Sequence, residues 1–174
     1  MRDRNKDLQM LDDTLHICKQ GYYKKGLDKI KGCLIGGAAG DALGYAVEFD
    51  SETSIFSTYG TEGITAYRLD PGSGKALISD DTQMTLFTAN GILVGETRFC
   101  MRGIGGIPHV YVTDSYQDWL ATQEKTMEQV NREGISGWQR GTSWLLDVPE
   151  LYSRRAPGGT CLSALHHHAQ SKGH

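Results

Sequence analysis

The chain is 174 residues long and 39% hydrophobic, which permits one domain with an ordinary core. Its formal net charge of −3 provides no broad basic surface, so nucleic acid is not expected as a partner. A charged start and the lack of an apolar run of spanning length argue against secretion and membrane insertion. The scattered cysteines form no C-x-x-C pair and predict reduced thiols in a cytoplasmic protein.

The first predicted element is an amphipathic helix from Asp7 to Lys19. Its apolar residues recur at helical spacing until Gly21 ends the pattern. Residues 1–26 are therefore predicted to form an N-terminal helical extension, and residues 27–174 the main domain.

A second, glycine-rich helix is predicted from Asp28 to Phe49. Its apolar stripe is predicted to be buried and consists of Ile30, Leu34, Ala38, Ala42 and either Ala46 or Val47. Asp41 and Glu48 are seven residues apart, which is nearly two helical turns, so the pattern predicts two carboxylates on one face. The alternative, that both are solvated surface charges, stays open.

Residues 51–79 are predicted to be mainly loop, because D-P-G-S-G is a strong turn signal. A third helix is predicted from Asp80 to Val94. The residues expected on its buried face are Met84, Phe87, Gly91 and Val94.

The start of this helix carries the most informative motif of the chain, S-D-D-T at residues 79–82. Two carboxylates between two hydroxyls suit a hard cation such as magnesium or manganese. The same residue types are preferred at any helix N-terminus, where they accept hydrogen bonds from free amides and complement the macrodipole. Gln83 even completes a capping-box pattern. Metal binding and structural capping are both open interpretations of this motif.

The rest of the chain is also mostly helical by its pattern. Residues 96–113 are predicted to form an irregular loop and a short extended segment, without an assigned role. Helices are predicted over residues 115–132, 138–146 and 161–169, the last with Thr160 as its N-cap. The predicted fold class is therefore all-α.

Four sequence blocks, in this order, resemble the ADP-ribosylglycohydrolase family. Together they are far more specific than any one alone, and the resemblance extends from about residue 28 to the end of the chain. The blocks are G-D-A-L-G-x-x-x-E (Gly40 to Glu48), Y-G-x-E-G-I (Tyr59 to Ile64), G-K-A-L-I-S-D-D-T-Q-M-T-L-F-T-A (Gly74 to Ala89) and A-P-G-x-T-C-L-S-A-L (Ala156 to Leu165).

The resemblance implies an orthogonally packed helical domain with a binuclear magnesium or manganese centre. It implies a hydrolase that removes ADP-ribose from a modified side chain or a related ADP-ribose conjugate. Carried onto matching positions, Ser79, Asp80 and Asp81 are the implied metal ligands, and Glu48 and Asp81 the implied catalytic acids. The resemblance also implies that the loop from Tyr59 to Ser73 flanks the substrate mouth, and no individual substrate-binding residue is assigned.

The chain also departs from the family pattern. It contains neither the G-G-x-M-R loop, which cradles the diphosphate in the family, nor the D-x-D-[ST] cluster, which supplies further metal ligands. Gly159 stands where the family commonly has Asn. The expectation is therefore a truncated, N-terminal half-domain that is inactive alone and pairs with a complementary C-terminal fragment or with itself. The alternative is a non-catalytic remnant, or a regulatory or interaction subunit, that retains the helical core.

Overall fold

The structure, a computed structural model, describes residues 22–103, 106–133 and 143–171. The chain divides into two compact units, residues 1–37 and 38–174. Within the described ranges all regular elements are helical, which confirms the all-α prediction, whereas orthogonal packing stays a prediction. The α-helices are α1 (Tyr22–Gly44), α2 (Glu52–Tyr59), α3 (Asp80–Arg102), α4 (Pro108–Glu124), α5 (Met127–Glu133) and α6 (Gly159–Ser171).

Three short 3₁₀ turns complete the described elements, and they span Tyr45–Val47, Trp144–Asp147 and Pro149–Tyr152. None of the described helices is long and apolar enough to cross a membrane. The predicted helix from Asp7 to Lys19 lies outside the described residues, and the domain boundary after residue 26 stays a prediction.

Helix α1 ends at Gly44, earlier than predicted, and this changes the position of Glu48. The chain continues as a 3₁₀ turn, and Glu48 follows that turn with an exposed side chain. The prediction that Asp41 and Glu48 share one face of a single α-helix is wrong, because a 3₁₀ turn has three residues per turn. The predicted buried stripe is also wrong in part, since Ala42 is buried but Ile30 is 60% exposed.

Helix α2 lies inside the segment that was predicted to be mainly loop. Ser51 caps it, and the Ser51 hydroxyl accepts a hydrogen bond from the Ser54 amide at 3.2 Å. Gly60 ends it with a φ of 83°, a conformation that glycine adopts readily. Eight residues are too few for a clear helical periodicity, so the sequence pattern missed this element.

Helix α3 extends to Arg102 rather than to Val94, and Gly103 ends it in the left-handed conformation with a φ of 65°. An interior glycine such as Gly95 costs a helix only about 1 kcal/mol, which packing against α4 can offset. The predicted face is confirmed, since Phe87 and Gly91 are buried and Met84 and Val94 are half-buried.

The segment predicted to be extended instead forms the first turns of α4. Pro108 lies at the helix start, where its fixed φ suits the first turn. The predicted single helix over residues 115–132 is two helices, because Lys125 is extended and α5 begins only at Met127. The Thr126 amide donates to Gln129 Oε1 at 2.8 Å and the Gln129 amide donates to Thr126 Oγ1 at 3.2 Å, which is a reciprocal capping box.

The core lies where α3, α4, the last two 3₁₀ turns and α6 meet. Phe87 and Trp119 are fully buried at its centre. The other buried members are Leu120, Leu145, Leu151 and Leu165.

Two further helix predictions concern the last part of the chain. Residues 138–142 of the helix predicted over 138–146 lie outside the described residues, and Trp144–Asp147 is a 3₁₀ turn. Helix α6 starts at Gly159, just before the predicted cap Thr160.

Candidate active site

Ser79 begins helix α3 and acts as its N-cap. Its backbone is extended, with φ of −91° and ψ of −169°, and its hydroxyl accepts a hydrogen bond from the Asp81 amide at 3.1 Å. The side chain is only 3% exposed. The capping interpretation of this motif is therefore correct for Ser79, and one lone pair of its hydroxyl is already used.

Asp41, from α1, completes the cap of α3. Its Oδ2 atom accepts hydrogen bonds from the Ser79 amide at 2.9 Å, from the Thr82 amide at 3.3 Å and from the Thr82 hydroxyl. A carboxylate that satisfies several free amides of a helix start stabilises that end and complements its dipole. Sequence reasoning paired Asp41 with Glu48 instead. The signal that could have located it was its place in the G-D-A-L-G block.

Asp80 is held by the segment that precedes α6. Its amide donates to the Arg155 carbonyl at 3.1 Å, and its Oδ2 atom accepts from the Gly158 amide at 3.1 Å. Arg155 also donates from Nη1 to the Ile78 carbonyl at 3.3 Å. The A-P-G-x-T-C block therefore touches the S-D-D-T motif directly, a contact that the sequence order alone did not predict.

Gln83 fixes the first turn of α3 to the core. It is fully buried, and its Oε1 atom accepts from Trp119 Nε1 and from Gln123 Nε2, both at 3.1 Å. Its Nε2 atom donates to the Ser153 carbonyl at 2.9 Å. The capping-box role suggested for Gln83 is wrong, because its side chain turns into the core and Asp41 supplies the second cap.

The predicted acidic residues differ in their surroundings. Asp80 is half-buried, whereas Asp81 and Glu48 are exposed. Among the described residues, no hydrogen bond or ion pair joins Glu48 to Asp80 or Asp81. The structure thus brings Ser79, Asp80, Asp81 and Asp41 together, and Glu48 stands apart from their hydrogen-bond network.

The acidic pair has the donor chemistry that a divalent cation requires. Within the described part of the chain, Asp80 Oδ1 and the Asp81 carboxylate accept no hydrogen bond, so these oxygens are available as ligands. Carboxylate oxygens suit magnesium and manganese. The same part of the chain contains no group of three or more His, Cys, Asp or Glu residues placed to hold a metal. The carboxylates of Asp80 and Asp81, consecutive in the chain, thus offer a partial set of ligands that suits such a cation, and Ser79 directly precedes them.

A groove opens along the helix turns that follow Asp41. Its volume is about 360 Å³, within the range of small-ligand sites. Aromatic rings of Tyr45 and Phe49 line it together with Arg68 and Asp70. Hydrogen bonds from Ser73 hold the pKa of Asp70 below its ordinary value, so the groove has a charged as well as an apolar side. Sequence reasoning assigned no individual substrate-binding residue, but Arg68 and Asp70 of this groove belong to the loop that the resemblance implies at the substrate mouth.

The family of the chain follows from comparison with known proteins. A family model described as ADP-ribosylglycohydrolase matches residues 23–174. No curated protein and no solved structure shows a significant match to the chain. Because the family match covers most of the chain and includes every block that meets at the start of α3, the chain belongs to the ADP-ribosylglycohydrolase family.

Proposed function

We propose that this protein is a metal-dependent hydrolase that removes ADP-ribose from a modified side chain or a related ADP-ribose conjugate. Membership of the ADP-ribosylglycohydrolase family supports a hydrolase of this type. The finer proposal concerns the cation, the residues that hold it and the ADP-ribose conjugate as substrate.

One observation carries the proposal: residues from three separate sequence blocks converge on the start of α3. Asp41 binds the amides of Ser79 and Thr82, and Gly158 binds the carboxylate of Asp80. Asp41 already caps the helix, and capping does not require that Gly158 also hold the carboxylate of Asp80. The network therefore supports a positioned Asp80 carboxylate rather than a solvated one, and the exposed Asp81 follows it in the chain.

In this proposal Asp80 and Asp81, with Ser79 beside them, hold magnesium or manganese, two ions in the complete centre of the family. When bound, the cation would supply electrostatic stabilisation of the charge that develops as a glycosidic bond breaks. Glu48 and Asp81 are the proposed acids that move a proton or position water. The groove lined by Tyr45 and Phe49 is the proposed binding region for the organic part of the substrate.

Metal binding and hydrolysis test this function together. We expect weak manganese binding by calorimetry, because only two carboxylates, consecutive in the chain, are offered as ligands, and we expect it to be lost in the double variant Asp80→Ala with Asp81→Ala. The matched control is Asp28→Ala with Glu96→Ala, which removes two exposed acids outside the site and the groove and should leave binding unchanged. Release of ADP-ribose from a mono-ADP-ribosylated protein, followed by chromatography, measures the reaction.

The alternative function is a non-catalytic interaction subunit. The exposure of Phe49, Tyr67 and Leu69, at 76%, 49% and 56%, favours it, because large exposed apolar side chains are typical of contact surfaces. Manganese binding that persists in the double variant would show that Asp80 and Asp81 do not bind the metal and serve only the helix cap. No ADP-ribose release with any conjugate, in a chain that still folds, would favour the interaction subunit.

A further inference from the structure

The segment Arg155–Gly158 contacts Asp80 at two points. The Arg155 carbonyl accepts from the Asp80 amide, and the Gly158 amide donates to Asp80 Oδ2, both at 3.1 Å. The segment is itself anchored on both sides. Arg155 donates to the Ile78 carbonyl at 3.3 Å, and the Gly158 carbonyl accepts from the Leu162 amide in α6 at 3.1 Å.

Ala156, in the middle of this segment, has a strained backbone. Its φ is 53°, and it is the one non-glycine residue with a positive φ in the described ranges. Residues other than Gly, Asn and Asp adopt this region at a cost, and the conformation persists only when the surrounding contacts impose it. Here the flanking residues Arg155 and Gly158 contact the backbone and the carboxylate of the same residue, Asp80. The strain is therefore placed where it lets one short segment bind Asp80 twice.

We propose that Arg155–Gly158 is a positioning clasp for Asp80, which fixes Oδ2 and leaves Oδ1 as the atom that binds a divalent cation. The proposal rests on the proposed function of Asp80 as a metal ligand. Residues that orient a ligating carboxylate through a hydrogen bond contribute to metal affinity without touching the metal. Gly158 and Ala156 are thus positioning residues, and neither is a ligand.

Two substitutions at Gly158 separate the amide donor from the space around it. Gly158→Pro removes the N–H group, and we expect manganese affinity to fall by about tenfold or more, the usual range for a lost orienting partner. Gly158→Ala keeps the N–H group. An added Cβ would lie 3.7 Å from Cys161 Sγ and 4.0 Å from Asp80 Oδ2, which are ordinary contacts, so its affinity should stay that of the unchanged chain.

A second pair of variants at Ala156 covers the case in which Gly158→Pro does not fold. Glycine adopts a positive φ readily, so Ala156→Gly should keep manganese binding. A β-branched residue is a severe outlier in that region, so Ala156→Val should weaken binding although it leaves every acidic residue in place. Equal affinities in the glycine and valine variants would overturn the clasp.

Amide hydrogen exchange in the absence of metal tests the clasp independently of the proposed function. The Gly158 amide should exchange slowly in the unchanged chain and in Asp80→Asn, which keeps an acceptor oxygen, and rapidly in Asp80→Ala. Rapid exchange in the unchanged chain, or slow exchange in Asp80→Ala, would overturn the clasp. If the unchanged chain does not bind manganese, the proposed function is overturned, and amide exchange alone decides the clasp. If a folded Gly158→Pro variant binds manganese as tightly as the unchanged chain, only the clasp is overturned.

Discussion

At the scale of single residues, the most unusual group outside the candidate active site is Asp118 on α4. It lines a small cavity between α3 and α4 together with Asn90 and Ser115. Asn90 is 3% exposed and donates to Ser115 Oγ at 3.1 Å and to Ser143 Oγ at 3.3 Å. Burial raises the pKa of Asp118 to about 7, the hydrogen bond from Ser143 opposes this rise, and the charge of Asp114 adds to it.

This pKa predicts a pH-dependent stability with a defined sign. The ordinary pKa of an aspartate is 3.8, so between about 4 and about 7 the folded chain holds a proton on Asp118 that the unfolded chain has released. The stability linked to this proton is fully present below pH 4 and is lost as the pH rises through 7. Asp118→Asn introduces a side chain that cannot ionise, so it should remove this part of the fall in stability with rising pH. Its melting temperature at pH 8 should therefore be higher than that of the unchanged chain.

Thermal unfolding at pH 5, 6, 7 and 8 measures the effect, with Glu96→Gln as a control because Glu96 is an exposed acid on α3. If the melting temperature of Asp118→Asn falls between pH 5 and pH 8 as much as that of the unchanged chain, Asp118 is solvated in solution. The control should keep the full decline.

The residues of the site were predictable only where their signal is local. Ser79, Asp80 and Asp81 stand out because hydroxyl and carboxyl side chains gather directly before a helical pattern. The partners Asp41 and Gly158 lie 38 and 78 residues away from the groups they bind. Which distant residue meets the helix start depends on how α1 and the segment before α6 pack, and no local pattern encodes that.

At the scale of elements, the pairing of α3 and α4 positions the rest of the main unit. Gly91 permits this approach, since an added Cβ would lie 2.7 Å from the Tyr111 carbonyl oxygen and 2.7 Å from Val112 Cα. Gly95 faces the Tyr111 ring instead, at 2.8 Å. A backbone cannot move aside as a side chain can, so Gly91 is the stricter of the two positions.

Three glycine-to-alanine variants test this difference. Gly91→Ala should lower the free energy of unfolding by about 1–3 kcal/mol, as overpacking of a core does, and should lower it more than Gly95→Ala. Gly36→Ala in α1 is the matched control, because nothing lies within 4 Å of its added Cβ. Alanine is the better helix former by about 1 kcal/mol, so Gly36→Ala should increase stability. Urea unfolding that ranks Gly91→Ala equal to Gly36→Ala would contradict the close approach of α3 and α4.

The elements themselves were predictable where a long apolar periodicity dominates, as in α3 with Phe87 and Gly91. The start of α4 was not, because V-Y-V favours a strand by local propensity and only packing against α3 makes it helical. The break at Lys125 was missed for the opposite reason. The apolar spacing continues through it, and the capping box of Thr126 and Gln129 interrupts the helix without interrupting the pattern.

At the scale of the whole molecule, large apolar side chains remain exposed on helices that are otherwise well packed. Ile92 and Phe99 on α3 are 47% and 58% exposed and are seven residues apart, so they lie on nearly the same face. Met101 and Ile107, which flank the connection between α3 and α4, are 68% and 64% exposed. Single exposed apolar residues are common, but several of them around one helix end are typical of contact surfaces.

We therefore predict that the chain associates with itself in a concentration-dependent manner and that the Phe99 face of α3 takes part. Sedimentation velocity over a range of concentrations should show a rising average mass. Phe99→Lys should shift the distribution toward the monomer, because burying an unpaired charge in a contact is costly. Ser163→Lys adds the same charge at an exposed position on α6, and it should leave association unchanged. A single monomeric species at every concentration, with a cooperative melt, would show that this face stays exposed to solvent and does not mediate self-association.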